Sequence, residues 1–276
     1  MKKIGLVIFC GLIAMSAVFA GGQSGSSASA STTAPYTIEV GGSTSVTPLM
    51  ERLAAEFEKQ RPNIKINING TGSGDGINNA GTLYQIGMSS RDLTPAERGR
   101  GFNIETIAID GIAVIVNNSN PVSDLTVEQV RGIFTGEITD WGQVSGGAKS
   151  GPIAVISREE GSGTRGAFEE IIGFQGRLVR GANEFTSTGA IISSISTNPD
   201  AIGYISLGSV NNNIRAISVG GYAPSTQNVQ RGTYRVARPF IVLSGNNIHP
   251  ESQAFLDFIM STAGQDIVST GWIRVN

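Results

Sequence analysis

Short apolar runs alternate along the chain with amphipathic stretches, and each kind of run predicts one kind of element. The segment 64–68 has Ile at every second position, which is typical of a half-buried strand. The segment between Pro48 and Pro62 instead repeats its apolar residues at helical spacing. Because strand and helix patterns continue to alternate, the sequence predicts an α/β fold in which helices cover a central sheet.

Four of the predicted strands end in turns rich in Gly, Ser and Thr, and a helix follows each turn. These turns cover residues 43–45, 71–74, 89–91 and 161–164. One such turn alone is ordinary loop chemistry. Ligands of open α/β sheets bind beyond the carboxyl ends of the strands, so four similar turns favour a shared binding site.

The run from Ser157 to Arg165 combines a cation, small hydroxyls and glycine amides between a predicted strand, 152–156, and a predicted helix, 166–172. A helix N-terminus with free amides favours an anion, and the Arg158 guanidinium can offer two parallel N–H groups to an oxyanion. Two other interpretations exist. In the first, Ser162 and Thr164 are ordinary helix caps. In the second, the glycines form the GxGxxG motif of dinucleotide-binding proteins. An arginine just upstream suits a compact anion better than a dinucleotide.

The nearly continuous apolar segment from Ile104 to Val116 predicts a strand buried on both faces, yet Asp110 and Gly111 interrupt it. A carboxylate there needs partners. Either Asp110 binds local amides at a turn or bulge opened by Gly111, or it faces the anion site and accepts a proton from the ligand.

The N-terminus has the pattern of an export signal. Two lysines precede an apolar stretch and a small-residue cleavage site, so residues 1–20 are interpreted as a signal peptide and 21–35 as a flexible leader. The sole cysteine, Cys10, lies inside the signal, so the mature chain would have no thiol. A soluble, exported, periplasmic or extracytoplasmic protein is expected.

The charge balance excludes one class of partner. Without Lys2 and Lys3 the chain has 18 basic and 22 acidic residues, and a nucleic-acid partner would require a basic face. An acidic protein that binds an anion must use local dipoles and a few well-placed cations.

Several of these motifs occur together in a known family. The segments 42–45, 71–74, 89–93 and 158–165 stand in the same order there, as do 110–117, the Phe-x-Gly-x-Ile-x-x-Trp pattern of 134–141, and 201–205. The chain resembles the phosphate-binding proteins of bacterial phosphate ABC importers, in their shorter form. The resemblance covers nearly all of the chain after Tyr36.

The resemblance implies a two-lobed periplasmic binding-protein fold of type II. Each lobe is a central sheet flanked by helices, and the ligand lies in the cleft between them. The chain is expected to cross between lobes near 116–118 and near 235–238. Lobe one then comprises 36–116 plus 237–276, and lobe two comprises 117–236.

The resemblance also implies a phosphate site built from both lobes, with Glu160 steadying its arginine. The implied ligand contacts are Thr44, Ser45 and Ser73 from lobe one and Arg158, Ser162, Gly163 and Thr164 from lobe two.

The sequence departs from longer relatives in the third turn, where Ser90, followed by Arg91, replaces the aspartate that accepts the phosphate proton. Such a carboxylate rejects sulfate, which lacks that proton. Asp110 is the candidate for this role. Arg91 then either neutralises Asp110 or touches the ligand. Ser90, Arg91 and Asp110 complete the predicted site.

The predicted function is a receptor that closes on inorganic phosphate and delivers it to the membrane permease of an ABC importer, as a monomer and without cofactor, metal or covalent chemistry. Another tetrahedral oxyanion, namely sulfate, molybdate or tungstate, is the alternative if Asp110 points away from the site. A secreted serine hydrolase or phosphatase is the alternative of another class. It is disfavoured because the single histidine, His249, stands without a Gly-x-Ser-x-Gly elbow.

Overall fold

A ten-stranded mixed sheet with helices packed against it forms the framework of the protein. The computed structural model describes residues 34–276, so the predicted signal peptide and most of the predicted leader lie outside the described residues. The strands within 34–276 are β1 (Tyr36–Gly42), β2 (Ile64–Gly70), β3 (Ile86–Ser89), β4 (Asn103–Val116), β5 (Asp124–Leu125), β6 (Ala154–Arg158), β7 (Asn183–Phe185), β8 (Ala201–Ser206), β9 (Arg215–Val219) and β10 (Ala237–Ser244).

The helices fill most of the intervals between strands, as the alternating pattern predicts. Over the same residues they are α1 (Thr47–Gln60), α2 (Ser73–Asn79), α3 (Pro95–Arg98), α4 (Val127–Thr135), α5 (Gly163–Ile172), α6 (Thr188–Thr197), α7 (Thr226–Gln230), α8 (Pro250–Met260) and α9 (Thr262–Val268). None of the helices in this part of the chain has the length and apolar character needed to cross a membrane. The predicted α/β fold class is confirmed.

The strand order explains how the sheet serves two lobes. The order along the sheet is β2-β1-β3-β10-β4-β8-β6-β7, and β9 adds to β4 and pairs with β5. The β1, β2 and β3 strands are parallel to one another, as are β6, β7 and β8. Between these two groups, β10 and β4 run antiparallel to each other and to their outer neighbours. The β4–β10 pair therefore joins one parallel group to the other.

The hydrophobic cores divide the chain at this central pair. One side of the molecule is packed by residues up to Ala108 together with residues from Phe240 onward. The other side is packed by residues between Ile112 and Val236. Along the second half of β4, even-numbered residues enter one cluster and odd-numbered residues enter another, because successive side chains of a strand point to opposite faces.

The change from one hydrophobic core to the other lies before 116–118, where the first crossing between lobes is expected. Residues 103–111 of β4 pair with β10, and residues 112–116 pair with β8, so the change of core falls between Ala108 and Ile112. A single uninterrupted strand makes the passage, and no turn marks it in the sequence. We therefore propose lobe limits of 36–108 plus 240–276 for lobe one and 112–236 for lobe two, with the second crossing at 237–239.

A third segment of chain reinforces the junction. The backbones of Ile109 and Ile273 exchange two hydrogen bonds, of 2.8 and 2.9 Å. Next to this bridge, the ring of Trp272 packs so closely on Gly208 that a Cβ built at Gly208 would lie 2.5 Å from it. Main-chain contacts from three separated parts of the sequence therefore hold the hinge.

The close packing of α2 on strands β1 and β3 leads to a prediction about stability. A Cβ built at Gly76 would lie 2.6 Å from the Met88 carbonyl oxygen and 2.7 Å from Gly42 Cα, and these are backbone atoms. Gly76→Ala is therefore expected to push α2 off β1 and β3 and to lower the free energy of unfolding by roughly 1–3 kcal/mol, the usual cost of overpacking. Urea unfolding measures this change.

The matched control is Gly189→Ala. No atom lies within 4 Å of the Cβ position in this helical glycine. That substitution is expected to be neutral or to stabilise by less than about 1 kcal/mol. Equal effects of the two substitutions would contradict the close-packing explanation.

Candidate functional site

The four glycine- and hydroxyl-rich turns lie together where the two lobes face each other. The Ser45 Oγ and Thr164 Oγ1 atoms are 2.8 Å apart, although the residues belong to different lobes. Ser90 Oγ lies 3.4 Å from the same Thr164 hydroxyl and 3.3 Å from Ser73 Oγ. The carboxyl ends of the parallel strands thus meet at one buried cleft, as the strand-end pattern predicts.

Five side chains form what we call the hydroxyl cluster, and each is at most 6% exposed. Its members are Ser45, Ser73, Ser90, Thr164 and Thr188. Thr188 was not predicted; its Oγ1 lies 3.3 Å from both Ser45 Oγ and Thr44 Oγ1. The signal was present in the sequence, because Ser187 and Thr188 belong to a fifth run of the same kind, which follows β7 and begins α6. The half-buried Thr44 stands at the edge of the cluster.

A main-chain hydrogen bond also crosses the cleft. The Gly74 amide donates to the Gly161 carbonyl oxygen at 3.0 Å. Close approach of the two backbones depends on small residues: a Cβ built at Gly163 would lie 2.3 Å from Ser73 Oγ and 2.9 Å from Ser90 Oγ. The lobes are therefore in their closed arrangement.

The N-terminus of α5 enters the cluster from lobe two. The helix begins at Gly163, three residues before its predicted start, and Ser162 is its N-cap. The Ser162 Oγ atom accepts from the Arg165 amide at 3.3 Å, which is the ordinary capping role. A serine hydroxyl that accepts one bond keeps its own proton to donate. The first amides of the helix, on Gly163 and Thr164, have no partner inside the helix, so the helix dipole and these amides favour an anion here.

Arg158 ends β6 and is 2% exposed. Its Nε and Nη2 atoms donate to the two Glu159 carboxylate oxygens, each at 2.9 Å, and to the carbonyl oxygens of Phe185 and Thr186, each at 3.2 Å. None of these contacts uses Nη1. Hydrogen bonds thus fix the edge of the guanidinium that carries Nε and Nη2.

The predicted steadying residue for this arginine was wrong by one position. Glu159 follows the last residue of β6 directly, and its amide donates to the Phe185 carbonyl oxygen at 3.1 Å, which keeps its side chain beside Arg158. The chain then turns, and Glu160 is exposed.

Arg91 lies in an ion pair beside the cluster. Its two Nη atoms donate to the two carboxylate oxygens of Glu97 at 2.8 Å each, and Glu97 also forms the capping box of α3 with Thr94. The hydrogen bond from Arg91 is the main reason that the pKa of Glu97 is lowered to about 2. Of the two roles left open for Arg91, the structure does not show the pairing with Asp110, because Glu97 binds both of its Nη atoms and Arg238 binds Asp110.

Asp110 lies at the junction of the lobes and is 1% exposed. Its Oδ1 atom accepts from Ser206 Oγ at 2.9 Å and from the Gly208 amide at 3.5 Å, and its Oδ2 atom accepts from Arg238 Nη2 at 3.1 Å. These partners are distant in sequence, so the alternative of a local turn at Gly111 is wrong. Burial raises the pKa of Asp110 to about 6 against the opposing attraction of Arg238.

The residues needed for hydrolase chemistry are not gathered at the cleft. His249 caps α8, where its Nδ1 atom accepts from the Glu251 amide at 3.2 Å, and its ring stacks on Tyr36 with a centroid distance of 3.9 Å. Across residues 34–276, no group of three or more His, Cys, Asp or Glu side chains is placed to hold a metal ion.

Two lobes joined by continuous strands, with polar strand-end turns meeting in a closed cleft, define a binding protein of the periplasmic type. The family model described as the PBP superfamily domain matches residues 27–263. This match spans most of the chain and includes all four of the turns.

Comparison with individual relatives identifies the family within this superfamily. The phosphate-binding protein PstS of Borreliella burgdorferi is 30% identical over 246 residues, which cover 84% of this chain and 87% of the relative. The chain therefore belongs to the PstS family of phosphate-binding proteins.

Two solved structures are similar as well. One is a putative phosphate ABC transporter substrate-binding protein from Clostridium perfringens with bound phosphate, at 42% identity and a TM-score of 0.84, covering 87% of this chain and all of that one. The other is an ABC-type phosphate transport receptor from Vibrio cholerae, at 34% identity and a TM-score of 0.70, covering 86% and 99%. One is named as a substrate-binding protein and the other as a transport receptor, which confirms the prediction of a binding protein rather than an enzyme.

The Arg91–Glu97 pair predicts a pH dependence. Because the folded-state pKa of Glu97 lies below its ordinary value of 4.5, the carboxylate contributes stability above that pH and loses it as the pH falls towards about 2. Glu97→Gln should therefore flatten the decline of the free energy of unfolding between pH 4.5 and 2.5, as measured by urea unfolding at each pH. Arg91→Gln should flatten it in the same way. A wild-type decline in either variant would contradict the ion pair.

The close approach at Gly163 predicts a variant that cannot close. In Gly163→Ala the new methyl group would collide with Ser73 and Ser90, so the lobes should stay apart. With phosphate present, small-angle scattering should give a larger radius of gyration than for the wild type, while circular dichroism stays nearly unchanged. The control is Gly161→Ala, on the same turn, where no atom lies within 4 Å of the Cβ position. Identical scattering from Gly163→Ala and wild type would contradict the closed contact.

Proposed function

We propose that the protein is an extracytoplasmic receptor that binds inorganic phosphate between lobes one and two and passes it to the permease of an ABC importer. The observation that carries the proposal is the meeting of the hydroxyl cluster with the N-terminus of α5, which follows the buried Arg158 at the end of β6. The two solved relatives, named as phosphate transport proteins, support the same ligand.

The geometry suits a tetrahedral oxyanion. Each hydroxyl has one proton to donate and the α5 amides add more donors, so several oxygen atoms of one ligand can be bound at once. The proposed contacts are Thr44, Ser45, Ser73 and Ser90 from lobe one and Arg158, Ser162, Gly163 and Thr164 from lobe two. Arg91 is left out because Glu97 binds both of its Nη atoms.

The distribution of donors over both lobes links binding to closure. An anion that accepts from Ser73 and from Gly163 at once is bound more tightly by the closed form, and a ligand shifts a conformational equilibrium only through such a difference in affinity. The closed form would then be the one that the permease recognises. Export by the N-terminal signal and a monomeric state belong to this proposal.

One observation keeps a second oxyanion in consideration. Both oxygens of Asp110 already accept hydrogen bonds, from Ser206 and Gly208 and from Arg238. A carboxylate that is engaged in this way is poorly placed to accept the proton of hydrogen phosphate, which is the contact that would exclude sulfate. Sulfate is therefore the competitor to measure.

Calorimetric titration at pH 8 of the mature protein, stripped of bound anion by partial unfolding, tests the proposal. We expect one phosphate bound per chain and a weaker response to sulfate. Equal or tighter binding of sulfate would replace phosphate with another oxyanion as the natural ligand. Binding of neither anion would overturn the function.

Two substitutions test the site itself. Arg158→Gln removes a charge-assisted donor worth about 1.5–3 kcal/mol and should weaken phosphate binding by roughly ten- to hundredfold. Thr164→Val keeps the shape of the side chain and removes one hydroxyl, so a loss of about threefold to tenfold is expected. Both variants should remain folded by circular dichroism. Arg98→Gln, which breaks an exposed pair with Asp92, is the control and should bind as wild type. Unfolding of either site variant would mark that residue as structural.

A further inference from the structure

Arg238 is a buried cation with most of its hydrogen-bonding capacity unused. The residue lies on β10 and is 3% exposed, and its Nη2 atom donates to Asp110 Oδ2 at 3.1 Å. Its Nε and Nη1 atoms are buried and have no hydrogen-bond partner among the described residues. These two atoms carry three of the five N–H groups of a guanidinium. Unpaired charged donors are costly to bury, so such an arrangement points to an acceptor from outside the chain.

Strand pairing places Arg238 next to the strand ends that carry the turns of the cleft. Ile241 of β10 lies opposite Ser89, the last residue of β3, so Arg238 lies beyond the carboxyl end of β3, on the side of the Ser90 turn. In lobe two, its partner Asp110 accepts from Ser206, the last residue of β8. Arg238 is therefore located between the strand ends of both lobes.

The positive charge of Arg158 also acts on Arg238. Burial is the largest cause that lowers the pKa of Arg238, to about 10, and the positive charge of Arg158 lowers it further, while Asp110 acts in the opposite direction. Arg238 thus remains charged at neutral pH. Two buried guanidinium groups that repel each other across one cleft suit an anion that carries more than one negative charge.

We propose that Arg238 is a second arginine contact of the bound oxyanion and donates to it from Nε and Nη1 at the floor of the cleft. This inference rests on the proposed function and extends it to a doubly charged tetrahedral anion held between Arg158 in lobe two and Arg238 at the hinge. Because Arg238 belongs to the segment that joins the lobes, the ligand would contact lobe one, lobe two and the hinge together.

In this proposal Asp110 does not have its predicted role as acceptor of the ligand proton. Its Oδ2 atom holds Nη2 of Arg238, and Ser206 and Gly208 hold its Oδ1 atom. Asp110 is therefore a positioning residue that orients the guanidinium, rather than the acceptor of a proton from the ligand. Each arginine of the cleft then has its own carboxylate, Glu159 for Arg158 and Asp110 for Arg238.

The test is a double-mutant cycle on Arg238→Gln and Asp110→Asn, with two measurements on each variant. Calorimetry measures the affinity for phosphate, and urea unfolding without phosphate measures stability. Arg238→Gln should weaken phosphate binding by at least about tenfold. The double variant has no unpaired buried charge, so it should regain part of the stability that Arg238→Gln loses, but it should not regain affinity.

Three comparisons decide the outcome. If the double variant binds phosphate as wild type does, Arg238 is only half of a structural ion pair and the proposal is overturned. Asp110→Asn should weaken binding in the wild-type background and have little further effect when Arg238 is already Gln; an equal loss in both backgrounds would overturn the positioning role. Arg215→Gln is the control, since this guanidinium donates to the carbonyl oxygens of Asn120 and Val122 and not into the cleft. It should change stability without changing affinity.

The wild-type titration separates this proposal from the proposed function. If the wild type binds sulfate and not phosphate, the phosphate function fails, and the same cycle measured with sulfate still decides the role of Arg238. If the wild type binds phosphate and Arg238→Gln binds it equally well, the function stands and the Arg238 contact falls. If the wild type binds neither anion, both fall.

Discussion

The antiparallel pairing of β4 with β10 is the interaction on which the rest of the structure depends. The β4 strand passes from one hydrophobic core to the other, and β10 pairs with it along the crossing, so the hydrogen bonds between them determine the distance between the two parallel groups of strands. At that distance, turns from opposite lobes meet at 2.8 Å. If the pair were split by a loop at the crossing, the strand ends would still be polar, but no common site would be defined. The site is therefore a property of the junction as much as of the turns.

The cleft concentrates polar groups in a place where burial makes them expensive. Hydroxyl groups of the cluster form hydrogen bonds with one another. Arg158 and Arg238 each form an ion pair with a neighbouring carboxylate. Such pairing keeps the net charge of the cleft small without filling every donor. The remaining donors are what distinguishes a binding site from a merely well-packed polar core. An overall acidic chain can bind an anion in this way because the relevant field is local.

Features that depend on neighbouring residues were accessible from sequence, and features that depend on distant pairing were not. The strand–turn–helix units follow from local propensity, and the structure shows them where they were expected. The predicted start of α5 is three residues late because glycine is a poor helix former. A larger residue at Gly163 would collide with Ser73, which explains why glycine stands there. Whether Glu159 or Glu160 meets Arg158 depends on how the chain turns after β6. The pairing of Asp110 with Arg238 joins residues 128 positions apart, and no periodicity reports such a contact.

The main-chain hydrogen bond from Gly74 to Gly161 has a consequence for signalling. Since it joins the lobes through backbone atoms alone, every closure gains it and every opening loses it, whatever occupies the cleft. It therefore favours some closing without ligand, as long as residues around it, such as Gly163, let the two turns meet. A transporter that responds to the closed shape would count those closures as noise, so the discrimination between a loaded and an unloaded receptor must come from the side chains that surround this bond.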